Sequence, residues 1–129
     1  MINSRLAGLR VVIVEDVSLV TMLLEDLLVE WGCAVVAIVS ELEGAEEKLT
    51  SIAFDLVVLD INLNGAHTFG IAQWLTRRRI PFVFSTGYPA AGIPEKFRRV
   101  PLVGKPFERN ELQLALVSSL SATQTTRSP

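Results

Sequence analysis

The sequence predicts an α/β fold, a three-layer sandwich in which a five-stranded parallel sheet carries helices on both faces. Two observations lead there. Short runs rich in Val and Ile alternate with segments of helical period, the pattern expected when each strand is followed by a crossover helix. The runs are continuously apolar, which suits strands covered on both sides. Right-handed crossovers then set the strand order as 2-1-3-4-5.

The first strand is Arg10 to Glu15, RVVIVE. A helix follows from about Ser18 to Trp31, with Val20, Leu23, Leu24, Leu27, Leu28 and Trp31 on one stripe and Gly32 placed to end it. The second strand spans about Ala34 to Val39, and its helix, Glu41 to Ser51, has a thinner stripe of Leu42, Ala45 and Leu49 interrupted by Gly44. Asp55 to Asp60 is the third strand, closed by the turn-prone Asn62-Leu63-Asn64-Gly65, and a third helix is expected over Thr68 to Arg79. Pro81 opens the fourth strand, FVFS, because the first position of a strand tolerates proline. Ala90 to Arg99 is broken by Gly92 and Pro94, so the fourth helix should be short and start near Pro94. Pro101 to Val103 makes a very short fifth strand whose proline suits an edge. The fifth helix is expected from about Arg109 to Leu120. The remaining segment, 121–129 (SATQTTRSP), has no apolar anchors and is expected to be disordered. One domain over residues 1–120 is therefore expected, with no repeat, linker or attached output domain.

A chain of 129 residues that is half hydrophobic and only 20% charged can bury its core without disulfide or structural metal. Its net charge of -2 argues against a nucleic-acid partner. Arg77-Arg78-Arg79 and Arg98-Arg99 read as solvated helix ends. The single cysteine, Cys33, lies in an apolar run and reads as a buried reduced thiol. His67 has no second His or Cys at ligand spacing and reads as a polar loop residue, while Trp31 and Trp74 read as core or its margin. With no signal-peptide pattern and no apolar stretch of membrane-spanning length, a cytoplasmic protein without a membrane partner is expected.

In open parallel sheets, functional groups gather at the carboxyl ends of the strands. The first strand ends in Glu15-Asp16, the third in Asp60, the fourth in Ser85-Thr86-Gly87, and the fifth runs into Gly104-Lys105-Pro106. Three carboxylates about 4 to 6 Å apart repel by about 3 to 4 kcal/mol per close pair at an effective dielectric near 20, so protons or a cation must neutralise them. Only oxygen ligands are in view, which favours Mg²⁺, with Mn²⁺ able to substitute. Lys105 would supply a second positive charge. An anionic group forming on Asp60 would be stabilised by both, with a hydrogen bond from Thr86 and room for backbone approach at Gly87, an arrangement suited to an acyl phosphate.

The set Glu15-Asp16, Asp60, Thr86 and Lys105-Pro106-Phe107 resembles the receiver domain of two-component response regulators, from Leu9 to about Leu120. The resemblance implies a flavodoxin-like fold and a single-domain response regulator, not an enzyme beyond its own phosphorylation and dephosphorylation. It makes Asp60 the phosphoacceptor from a histidine kinase or a histidine phosphotransfer protein. Asp16, Asp60 and the backbone carbonyl of Asn62 would bind Mg²⁺, Glu15 would act through bound water, and the Lys105-Pro106 peptide would be cis. A downstream protein, not specified by the sequence, would read the change, or the chain would serve as a phosphate shuttle or sink. The family's aromatic switch residue falls at Leu102, which has no polar tip to exchange with solvent. Pro81 to Tyr88, PFVFSTGY, is similar to the FAT GUY group of receivers linked to HWE-type kinases, with Ser85 in place of alanine. There Tyr88 would shield the acyl phosphate from water.

Three other functions are weighed. A nucleotide- or flavin-binding protein needs a phosphate loop after the first strand, where Glu15-Asp16-Val17 would repel the anion. An aspartyl-phosphate phosphohydrolase of the haloacid dehalogenase type needs an acid two residues after the nucleophile, where Asn62 stands. A receiver-like interaction module that is never phosphorylated is encouraged only by Leu102.

Overall fold

A computed structural model describes residues 1–87 and 92–127, with side chains as far as residue 121. The elements are β1 (Arg10–Val14), α1 (Ser18–Glu30), β2 (Ala34–Val39), α2 (Ala45–Thr50), β3 (Leu56–Asp60), β4 (Asn62–Leu63), β5 (Ala66–His67), α3 (Phe69–Arg77), β6 (Phe82–Thr86), a single 3-10 turn (Glu95–Phe97), β7 (Leu102–Gly104) and α4 (Arg109–Arg127). The main sheet is parallel with order β2-β1-β3-β6-β7. This is the expected 2-1-3-4-5, once the small hairpin β4-β5 is set aside.

Alternation along the central strands divides the core into two layers. Val11, Ile13, Val58, Val83 and Val103 pack with Leu24 and Leu28 of α1 and Leu112 and Leu116 of α4. Val12, Val14, Val57, Leu59 and Phe84 pack on the other face with Leu49 of α2, Ile71 and Leu75 of α3, and Phe97 of the 3-10 turn. Every residue of β3 and β6 is buried, which is why those runs show no polar alternation. Cys33 is buried, donates to the Leu6 carbonyl at 3.5 Å, and has its pKa pushed up by burial.

Several boundaries differ from expectation, each for a local reason. The second helix begins at Ala45, not Glu41, because Gly44 sits in the left-handed region (φ 76°) and turns the chain into it. The third begins after Thr68 and ends at Arg77, with Arg79 at φ 58°. The expected short fourth helix is reduced to the single 3-10 turn after Pro94. The fifth strand is shifted by one residue: Pro101 stays outside β7, though its carbonyl accepts from Phe84 N–H at 2.9 Å. Leu23, expected on the buried stripe of α1, is 47% exposed along with Leu19, Met22 and Val29, since a helix apolar nearly all round has more stripe than the sheet can cover. The last helix continues to Arg127, past the expected end at Leu120. The expectation of disorder over 121–129 falls largely on residues whose side chains, or for 128–129 the whole residue, lie outside those described.

Candidate functional site

The site is assembled by register. Val14 and Leu59 are partners across β1 and β3, so Glu15-Asp16 emerges beside Asp60; Asp60 pairs with Ser85 and Thr86 with Gly104, which delivers Lys105 to the same edge. Oxygens of Glu15, Asp16 and Asp60 all lie within 4.8 Å of one another. Glu15 and Asp60 are 1% and 4% exposed. The Lys105 Nζ donates to Glu15 Oε1 and to Asp60 Oδ2, each at 2.8 Å. The Lys105–Pro106 peptide is cis, as the resemblance implies.

Backbone donors complete the cluster. Val17 N–H donates to Glu15 Oε2 at 3.1 Å, Asn62 N–H to Asp60 Oδ1 at 3.1 Å, and Asn64 N–H to Asp16 Oδ2 at 3.1 Å. Two of these donors come from the β4-β5 hairpin, in which Asn62 pairs with His67 and Leu63 with Ala66. Asn64 and Gly65 at its tip have φ of 52° and 86°, the paired positive values that a two-residue hairpin turn needs and that Asn-Gly supplies. Gly65 N–H in turn holds the Asn62 side chain through Oδ1 at 2.9 Å.

Burial raises the pKa of Glu15, an effect that the Lys105 and Val17 hydrogen bonds offset only in part and that the neighbouring Asp60 charge reinforces. For Lys105, burial works to lower the pKa, but the hydrogen bonds and charges of Asp60 and Glu15 outweigh it and the net shift is upward. Three acids against one ammonium leave negative charge uncompensated. An all-oxygen donor set of that size and charge has the chemistry of a hard divalent cation site.

Of the residues named from sequence, Glu15, Asp16, Asp60 and Lys105 converge as expected; Asn62, expected to contribute its backbone carbonyl, touches the cluster through its backbone N–H. Thr86 lies at the end of β6 with its carbonyl accepting from Lys105 N–H at 2.8 Å. A Cβ on Gly87 would meet nothing within 4 Å, so packing within the chain does not itself demand glycine there. Leu102 lies in β7, half-buried against the core layer containing Phe84 and Phe97. Tyr88 lies outside the described residues. His67 is exposed, with its ring 5.0 Å from that of Phe69.

Two supporting residues escaped the sequence reading. Thr68, expected merely to open a helix, is fully buried, and its Oγ1 donates to the carbonyls of Asp60 at 2.6 Å and Ile61 at 3.2 Å. It ties the backbone of Asp60 to the start of α3. Asn64 was read only as a turn residue, although Asn-Gly between apolar residues is the strongest short hairpin signal.

The response regulator receiver domain model matches residues 11–117. This chain belongs to the response regulator receiver domain family. No curated protein matches it. Among solved structures, it is similar to SdrG from Sphingomonas melonis Fr1, with 34% identity and a TM-score of 0.78 over 88% of this chain and 97% of that one. The BeF3-activated conformation of SdrG, from Pseudomonas melonis Fr1, gives 34% identity and 0.72 over 88% and 98%. The anti-anti-sigma factor PhyR from Bartonella quintana gives 25% identity and 0.77, over 92% of this chain and 50% of that one. The chain thus spans SdrG nearly whole but only half of that PhyR.

Proposed function

We propose that the chain accepts a phosphoryl group on Asp60 from the phosphohistidine of a kinase or phosphotransfer protein, and that this changes its affinity for a protein partner or passes the phosphate onward. The observation that carries the reading is the placement of Lys105 Nζ at 2.8 Å from Asp60 Oδ2 inside a three-carboxylate cluster. A lone buried acid does not need such surroundings; an acid that acquires a dianionic group does. The BeF3-activated conformation known for SdrG adds support, since trifluoroberyllate on a carboxylate oxygen has the tetrahedral shape of an acyl phosphate.

In this reaction a carboxylate oxygen of Asp60 attacks phosphorus. The P–O bond forms as the P–N bond to imidazole breaks, and the departing nitrogen keeps the electron pair until it is protonated by solvent. Lys105, already held at Asp60, would follow the charge onto the phosphoryl oxygens, and Thr86 at the neighbouring strand end would hydrogen-bond them. Asn62 N–H and Thr68 fix the orientation of Asp60 from both sides. Asp16, Asp60 and the Asn62 carbonyl would hold Mg²⁺, with Glu15 reaching it through water; bound there, the ion supplies charge neutralisation between the acids and the incoming oxygens.

Incubation with acetyl phosphate and Mg²⁺ followed by intact-mass measurement tests the reading. Wild type should gain one phosphate and Asp60→Asn none; an unmodified wild type, or an equally modified variant, contradicts it.

A further inference from the structure

Ser85 has a buried hydroxyl with no hydrogen-bond partner, and it stands beside the phosphoacceptor. It is 1% exposed and its Oγ makes no hydrogen bond. Buried hydroxyls are seldom left so, and one at a reactive site calls for a partner in some other state of that site. In the parallel register Ser85 pairs with Asp60 on one side and Val103 on the other. Strand alternation puts Ser85 on the face of Val83, as it puts Asp60 on the face of Val58 and Glu15 on that of Ile13. The three side chains therefore share one side of the sheet.

Lys105 follows β7, two strands away from Asp60, with β6 between them. Neighbouring strands are about 4.8 Å apart, so the lysine stem must pass over the end of β6 to bring Nζ to Asp60 and Glu15. By register Ser85 is the β6 residue between Asp60 and Val103, on the strand that the stem crosses. An ammonium has three protons, and two of them are engaged by Glu15 and Asp60.

We infer that Ser85 is a positioning residue whose hydroxyl accepts a hydrogen bond from the Lys105 ammonium once a phosphoryl group or its mimic occupies Asp60. This rests on the reading of Asp60 as phosphoacceptor. As Lys105 turns from the carboxylates to the new oxygens, it loses Glu15 as an acceptor; Ser85 offers a neutral one already on its path. Alanine there would leave the ammonium with one fewer partner in the state that matters, while removing an unsatisfied group from the resting state.

Ser85→Ala should therefore move two readouts in opposite directions. Urea unfolding of the unphosphorylated variant should show stability equal to or above wild type, because an orphaned hydroxyl is gone. The saturating rate of phosphorylation by acetyl phosphate should fall roughly fivefold, the worth of one ordinary hydrogen bond, with the half-saturating concentration unchanged. Ser85→Thr, which keeps the hydroxyl, should recover most of the rate where it folds as wild type does. An unchanged rate in Ser85→Ala overturns the inference and leaves Asp60 phosphorylation standing. The Lys105 ammonium resonance, recorded with Mg²⁺ and BeF3 added, tests the contact without turnover: it should differ between wild type and Ser85→Ala, and coincident signals refute it even if no phosphate is ever incorporated.

Discussion

At the scale of single residues, the site is a balance between burial and charge. Glu15 and Asp60 are accommodated in the sheet edge because Lys105 reaches both. Removing one member of a buried ion pair strands the other and costs about 3 to 5 kcal/mol when burial is complete. Lys105 keeps some exposure at its side chain, so Lys105→Met should lose about 2 kcal/mol in urea unfolding without metal, and less when Mg²⁺ is present to neutralise the acids. Equal losses in both conditions would count against a cation site. At the opposite end of β3, Asp55 takes two hydrogen bonds from the Arg10 guanidinium, at 3.0 and 2.9 Å, and one from its backbone N–H at 2.8 Å. The Arg10 hydrogen bonds hold its pKa below the usual carboxylate range. A depressed acid binds fewer protons folded than unfolded, so its contribution is present above the unfolded value, about 3.9, and lost as pH falls through the lower folded value. Asp55→Asn should thus destabilise at pH 7, with the gap from wild type closing as acid is added; a gap independent of pH would rule out the charge.

At the scale of elements, the strands were legible and their connections less so. β1, β3 and β6 announce themselves as runs of Val, Ile, Leu and Phe because both faces are covered, and that same burial puts the odd acid, Asp60, in relief. Helix ends were set by single residues whose effect propensity alone does not disclose: Gly44 in its left-handed conformation shortens α2, and the sequence after Pro94 sustains only one 3-10 turn. Two-residue strands have too little periodicity to be read, so the β4-β5 hairpin appeared only as a turn, although it provides backbone donors to both Asp16 and Asp60. Its Asn64-Gly65 tip depends on positive φ. Gly65→Ala should cost about 1 kcal/mol in stability, and should also weaken Mg²⁺ binding measured by calorimetry. Normal metal affinity in a destabilised Gly65→Ala would show that the hairpin does not hold the site.

At the scale of the whole molecule, two apolar layers meet on one sheet, and the sheet's register, set far from the acids, decides how closely they approach. The convergence of Glu15, Asp16, Asp60 and Lys105 was legible because parallel topology makes strand ends neighbours. The orphaned Ser85 hydroxyl and the Thr68 tie were not, since each depends on which atoms finally lie within hydrogen-bonding distance. If the acids share one ion, folding and binding are linked, and Mg²⁺ should raise the thermal midpoint of wild type by mass action. The rise should be lost in Asp16→Asn, and a rise that survived there would place the ion elsewhere.

If the chain is phosphorylated as proposed, the carboxylate of Asp60 is the atom group that reacts. The most direct measurement is to treat the protein with acetyl phosphate and Mg²⁺, reduce it with borohydride, which converts an aspartyl phosphate to homoserine, and sequence its peptides by mass spectrometry. The conversion should appear at residue 60 alone; conversion at Asp16 instead, or at no aspartate, would contradict the account.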